Sequence, residues 1–136
     1  LPAAVALETA LGGRWVVFGN GCWDSVLTTA GRAQLLAAAD WVSPGGLPAL
    51  LETPAQVVVI PRVDPEGRTC SILLLNCSLD ATGVLTLRVR RNRHAGGRDA
   101  RAWWLRPTEK PLSLVPTDVL TLPGLEPWGV GAVLFE

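Results

Sequence analysis

Beyond Pro54 the chain is cut into apolar segments of only four to seven residues, each bounded by proline or by turn-forming residues. A helix needs ten or more residues to bury a stripe, so segments this short read as strands. Val57 to Val63 and Ile72 to Leu75 are separated by Asp64-Pro65-Glu66-Gly67, a turn sequence that joins them as a hairpin. Asp80-Ala81-Thr82-Gly83 makes the next turn. Val84 to Arg90 then alternates, with Leu85, Leu87 and Val89 on one face and Thr86, Arg88 and Arg90 on the other, the pattern of a strand with one wet face. Ala102 to Leu105, Leu112 to Val115, Val119 to Leu122 and Val130 to Phe135 supply further strands, punctuated by Pro107, Pro111, Pro116, Pro123 and Pro127. The expected fold is mostly β: an antiparallel β-sandwich of six to seven strands over residues 53–136.

Residues 1–52 have a different character and read as a short α/β segment. Ala3 to Ala10 carries Ala, Leu and Glu in a helical pattern stopped by Gly12-Gly13. Arg14 to Phe18 is a β-branched and aromatic run leading into the turn Gly19-Asn20-Gly21, a buried strand. Thr28 or Thr29 caps a helix from about Ala30 to Val42, with Leu35, Ala38, Ala39 and Val42 on one face, ended by Ser43-Pro44-Gly45-Gly46. One helix, one strand and a second helix are too little for an independent α/β domain but fit the end of one.

Composition narrows the chemistry. Twelve basic residues balance twelve acidic ones, so no global field recruits nucleic acid or anionic lipid, and no apolar run is long enough to span a membrane as a helix. One histidine, His94, and three cysteines without CxxC spacing exclude a His- or Cys-rich metal site, and no cofactor is expected. Cys22, Cys70 and Cys77 read as free buried thiols. The start has no basic region followed by an apolar run, so no signal peptide is expected and a cytoplasmic setting is favoured. A chain of 136 residues opening at Leu1-Pro2 and holding no methionine is expected to be processed or part of something larger.

No catalytic constellation stands out. Gly19-Asn20-Gly21 lacks the third glycine of a phosphate-cradling loop. Glycoside hydrolysis needs two carboxylates held across a scissile bond, yet Asp64, Glu66, Asp80, Asp99 and Glu109 fall in turns. Asp24 beside Trp23 and Asp40 beside Trp41 pair an acid with an aromatic, as a sugar subsite does; a helix cap and a surface acid are the structural alternatives. His94 sits in a Gly-rich loop that would not hold a general base in place. Arg88, Arg90, Arg91, Arg93, Arg98, Arg101 and Arg106 fall within nineteen residues and run into Trp103-Trp104. Such interleaving suits single-stranded nucleic acid, carbohydrate or an acidic partner surface, and equally a solvated hairpin. Adjacent strand positions face opposite ways, so Trp103 and Trp104 cannot both be core on one sheet face. Asn76-Cys77-Ser78 matches a glycosylation sequon at the end of an apolar strand and is read as chance.

Three stretches together resemble a known family. They are Val16-Val17-Phe18-Gly19 with Trp23, Gly31 to Leu36 and Asp40-Trp41; Leu47-Pro48 with Val57 to Arg62; and Leu73-Leu74-Leu75-Asn76 with Ser78-Leu79-Asp80, closing on Leu122-Pro123-Gly124-Leu125-Glu126-Pro127-Trp128. Their order resembles the C-terminal end of large bacterial glycoside hydrolases of the β-galactosidase-like type. There a catalytic barrel is followed by an amidotransferase-like α/β domain and then a small β-sandwich. The resemblance implies that residues 1–52 end the α/β domain and that residues 53–136 are a non-catalytic accessory domain. Its partners would be the catalytic domain of the same parent chain or a neighbouring subunit. No part of the sequence corresponds to the barrel, so no catalytic residue carries over. The alternatives are a carbohydrate-binding module using Trp103, Trp104, Trp23 and Asp24, or, less favoured, a nucleic-acid-binding domain using the basic patch Arg88, Arg90, Arg91, Arg93 and Arg101.

Overall fold

The computed structural model describes residues 4–19, 28–90 and 101–136, in two compact units divided between Leu47 and Pro48. Of the residues singled out above, Asn20, Gly21, Cys22, Trp23, Asp24, Arg91, Arg93, His94, Arg98 and Asp99 lie outside the described residues.

In the first unit, β1 (Ala4–Glu8) and β2 (Arg14–Phe18) form an antiparallel hairpin, followed by α1 (Thr29–Val42). The helix expected over Ala3 to Ala10 is therefore a strand. Val5 and Leu7 sit two apart, and each pairs across the ladder with an apolar residue, Val17 and Trp15. Those cross-strand pairs hold the segment extended, where five residues could not sustain a helix alone. Thr9 closes the hairpin, its hydroxyl accepting from Gly13 N–H at 2.9 Å. α1 starts as its cap predicts: Thr28 Oγ1 accepts from Gly31 N–H at 3.0 Å, and Ser43 ends the helix, its N–H donating to Ala39 C=O at 3.1 Å. Arg14 joins strand to helix, its guanidinium 5.3 Å from the Trp41 ring centroid and donating to Trp41 C=O at 3.1 Å.

The second unit is an antiparallel β-sandwich. Its five-stranded sheet runs in the order β4 (Val57–Val63), β5 (Thr69–Asn76), β10 (Val130–Phe135), β7 (Ala102–Leu105), β8 (Leu112–Leu114). Its three-stranded sheet runs β3 (Ala49–Leu51), β6 (Leu85–Val89), β9 (Val119–Leu122). The seven strands expected from the sequence are present. An eighth, β3, is only three residues long and carries no turn signal of its own, and by pairing with β6 it places Ala49–Leu51 in this unit.

Register sorts the side chains. Ile72, Leu74 and Val133 from the larger sheet meet Leu85, Leu87, Val89, Leu120 and Leu122 from the smaller one in a single core. Burying such residues contributes about 1.5–3 kcal/mol each. Trp104 belongs to this core at 2% exposed, and it packs where Gly131 leaves room on the neighbouring strand.

Leu73–Asp80 and Leu122–Trp128 meet at one end of the sandwich. Asn76, fully buried, donates from Nδ2 to the carbonyls of Asp80 at 2.8 Å and Glu126 at 2.9 Å, and accepts from Ser78 N–H at 3.1 Å. Thr82 and Leu125 exchange two further bonds of 2.8 Å, one of them through the Thr82 hydroxyl. The sequon asparagine is thus consumed in a clasp between the β5–β6 and β9–β10 connections, which accords with reading the sequon as chance.

Candidate interaction face

The two sheets differ on their outer sides. On the smaller sheet the outward row Leu50–Arg88–Val119 and the pair Thr86–Thr121 are mixed and largely polar, and Arg88 is ion-paired to Glu52. That is the ordinary wet face of an antiparallel sheet.

The larger sheet does not follow this rule. Pairing aligns Val58, Leu75 and Val130 in one outward row, and Ile60, Leu73, Ala132 and Leu105 in the next. Leu134 and Trp103 lie in a third, flanked by Arg62 and Ser71 on one side and Ser113 on the other. Val58, Ile60 and Leu73 are exposed, Ile60 to 46%, and the other apolar members are half-buried. β4, β5, β10 and β7 are therefore apolar on both sides, the mark of a sheet covered on both faces. From strand spacing and rise the patch measures about 20 Å by 15 Å, on the order of 300 Å². An apolar area of about this size is that of the largest patch on a typical monomer, and such a patch is often functional.

At one end of the face Trp103, Leu105, Pro111, Leu134 and Glu136 line an open depression of about 260 Å³. The Trp103 indole N–H donates to Glu136 Oε2 at 3.2 Å. Trp103 and Trp104 separate as adjacent strand positions must, Trp103 to this outer face and Trp104 to the core. The structure thus corrects Trp104 as a stacking platform: its ring is not accessible to a ligand.

The remaining singled-out residues do not converge. Arg88 lies on the smaller sheet, whereas Arg101 leads into β7 of the larger one and exchanges two backbone bonds of 2.9 Å with Glu136. Arg90 N–H donates to Pro48 C=O at 3.2 Å, and Arg106 is ion-paired to Glu109. Asp40 accepts from Leu47 N–H at 2.7 Å, bracing the turn after α1. Among the described residues no group of three His, Cys, Asp or Glu is placed to hold a metal ion, and no helix is long and apolar enough to cross a membrane.

Arg14–Phe18, expected as a buried strand, has no fully buried residue, and its Trp15 is 64% exposed; Trp128, 59% exposed in the turn before β10, escaped the sequence reading as a site candidate. The signal for Trp128 was legible, because Pro127 before it and Gly129 after it mark a turn, and turns lie at the surface.

No protein-family model, curated protein or solved structure matches this chain.

Proposed function

We propose that this chain is a non-catalytic accessory module of a carbohydrate-active glycoside hydrolase, and that its sandwich braces a catalytic domain or an assembly interface. The observation that carries the contact role is the apolar outer face of the five-stranded sheet, set against the mixed, more polar outer face of the smaller one. A sheet that only enclosed its own core would gain nothing from Val58, Ile60, Leu73 and Leu134 on its far side, and would risk aggregation. The enzyme class rests on the family resemblance. In support, the Leu73–Asp80 and Leu122–Trp128 stretches lock to each other as one structural unit, a role that brings no chemistry with it.

The test is the mass of the native gene product in its own cells, detected with an antibody against residues 54–136. A band several-fold heavier than 14.4 kDa fits a module of a larger enzyme. A band at 14.4 kDa overturns that reading.

A second reading has one specific observation behind it. Trp103 beside the Glu136 carboxylate, at the edge of an open depression, offers an indole face and a hydroxyl acceptor to a sugar. Tryptophan fluorescence titrated with oligosaccharides tests it, and no spectral change up to millimolar sugar excludes it.

A further inference from the structure

The depression at one end of the apolar face is built by three adjacent strands. Trp103 and Leu105 stand two apart on β7, Leu134 lies on β10 with Glu136 two residues further, and Pro111 leads into β8. Positions two apart on a strand share a side of the sheet, so one ring, one carboxylate and three aliphatic groups converge there. The Leu134–Trp103 pairing sets Glu136 diagonally across from the indole, whose N–H reaches Oε2 at 3.2 Å.

Glu136 is the one charged residue among the described residues that line the depression. Its second oxygen, Oε1, has no hydrogen-bond partner among them. Arg101 lies opposite Glu136 on the ladder, each donating its backbone N–H to the other's C=O at 2.9 Å, yet no ion pair joins their side chains. The site is thus an uncompensated negative charge beside an aromatic ring and three apolar walls. At about 260 Å³ it takes one small group, since pockets for drug-sized ligands run roughly 300–1,000 Å³.

These groups select among ligand chemistries. A neutral sugar brings hydroxyls that both donate and accept, but the only side-chain donor in the lining, the indole N–H, is already spent on Glu136. An anion meets the like charge of the carboxylate. A primary ammonium brings three N–H donors and a tight hydration shell to a site with one free carboxylate oxygen. A quaternary ammonium has no donor to satisfy. Its methyl groups match Leu105, Pro111 and Leu134, while its charge is attracted by the Trp103 ring and by Glu136. We infer that the depression binds a small quaternary ammonium compound of the choline type, free in solution. With a single aromatic wall and open access to water, the affinity is on the order of millimolar. This site is independent of the accessory-module reading and competes with the sugar reading for the same depression.

The test is titration of the isotope-labelled 136-residue chain with choline chloride, against sodium chloride at matched ionic strength. The signal is the indole N–H resonance of Trp103, assigned by its absence from Trp103→Phe. A saturable shift with a midpoint of roughly 1–20 mM choline is expected. Dimethylbutanol, which puts carbon where choline has its charged nitrogen, should bind at least about 5-fold more weakly. Glu136→Gln should remove most of that preference while leaving the resonances of the other strands in place. No shift up to about 100 mM choline overturns the inference. Equal affinity for choline and dimethylbutanol also overturns it, because the depression would then be apolar and nothing more. Glucose binding more tightly than choline overturns it in favour of the sugar reading. A choline affinity that Glu136→Gln leaves unchanged overturns the role of the carboxylate.

Discussion

A β-carbon added at Gly131 would lie 2.1 Å from Cη2 and 2.5 Å from Cζ2 of Trp104, inside any permitted contact. Gly131→Ala must therefore move the indole or bend β10 in the middle of the core. The expected cost is about 1–3 kcal/mol, read as a lower urea midpoint at unchanged slope. An unchanged midpoint would mean that Trp104 does not pack there. Asn76 carries the other residue-scale dependence. Removing its amide leaves the carbonyls of Asp80, Leu125 and Glu126 without this donor. Asn76→Ala is expected to cost about 3 kcal/mol, because buried acceptors lose their partner and the clasp loosens. A loss within about 0.5 kcal/mol, the scale of an ordinary surface change, would contradict that role.

At the scale of elements, β5 offers a direct comparison of the two sides of the larger sheet. Leu74 is fully buried and Leu73, its neighbour, faces out. Leu74→Ala is expected to cost about 2–5 kcal/mol, while Leu73→Thr, examined on the dilute chain, should cost less than about 1 kcal/mol. Similar losses at both positions would mean that the outer side is already covered within the chain. The β4–β5 turn carries a pH dependence. Asp64 is partly desolvated, which raises its pKa, but Arg68 donates to it from its backbone N–H at 2.7 Å and its guanidinium at 2.6 Å, and the net direction is down from 3.8. A depressed carboxylate stabilises the fold above its unfolded pKa and ceases to as pH falls through the folded one. The stability difference between wild type and Asp64→Asn should therefore shrink as pH drops below about 3.8, and a difference that persists in acid would contradict this ion pair. These strands were legible because turn chemistry and alternation agree: Asp64 to Gly67 and Leu85-Leu87-Val89 each carry their own signal. β1 was not legible as a strand, since Ala, Leu and Glu favour a helix and only its partners across the hairpin settle the matter. β3 was too short to register. Within the candidate face the sequence separated Trp103 from Trp104. It did not reveal that four strands share an apolar outer side, because that depends on register between segments far apart in the chain, such as those of Val58 and Val130.

For the whole molecule, the contrast between the two outer faces is the fact that any account must meet. The smaller sheet wears Thr86, Thr121 and an Arg–Glu pair on its outside, with Leu50 and Val119 beside them. The larger wears a band of valine, isoleucine and leucine. A partner protein that covers the band explains both at once. A sugar ligand accounts only for Trp103 and its depression, and a basic surface for neither sheet, since Arg88 and Arg106 are each held by a carboxylate. Hydroxyl-radical footprinting tests the covered face most directly, comparing the native gene product in extract of its own cells with the 136-residue chain diluted to nanomolar concentration. The account predicts that Ile60, Leu73, Trp103 and Leu134 are labelled in the diluted chain and protected several-fold in the native product, with the threonines of the smaller sheet unchanged between the two. Equal labelling of the apolar face in both would contradict it.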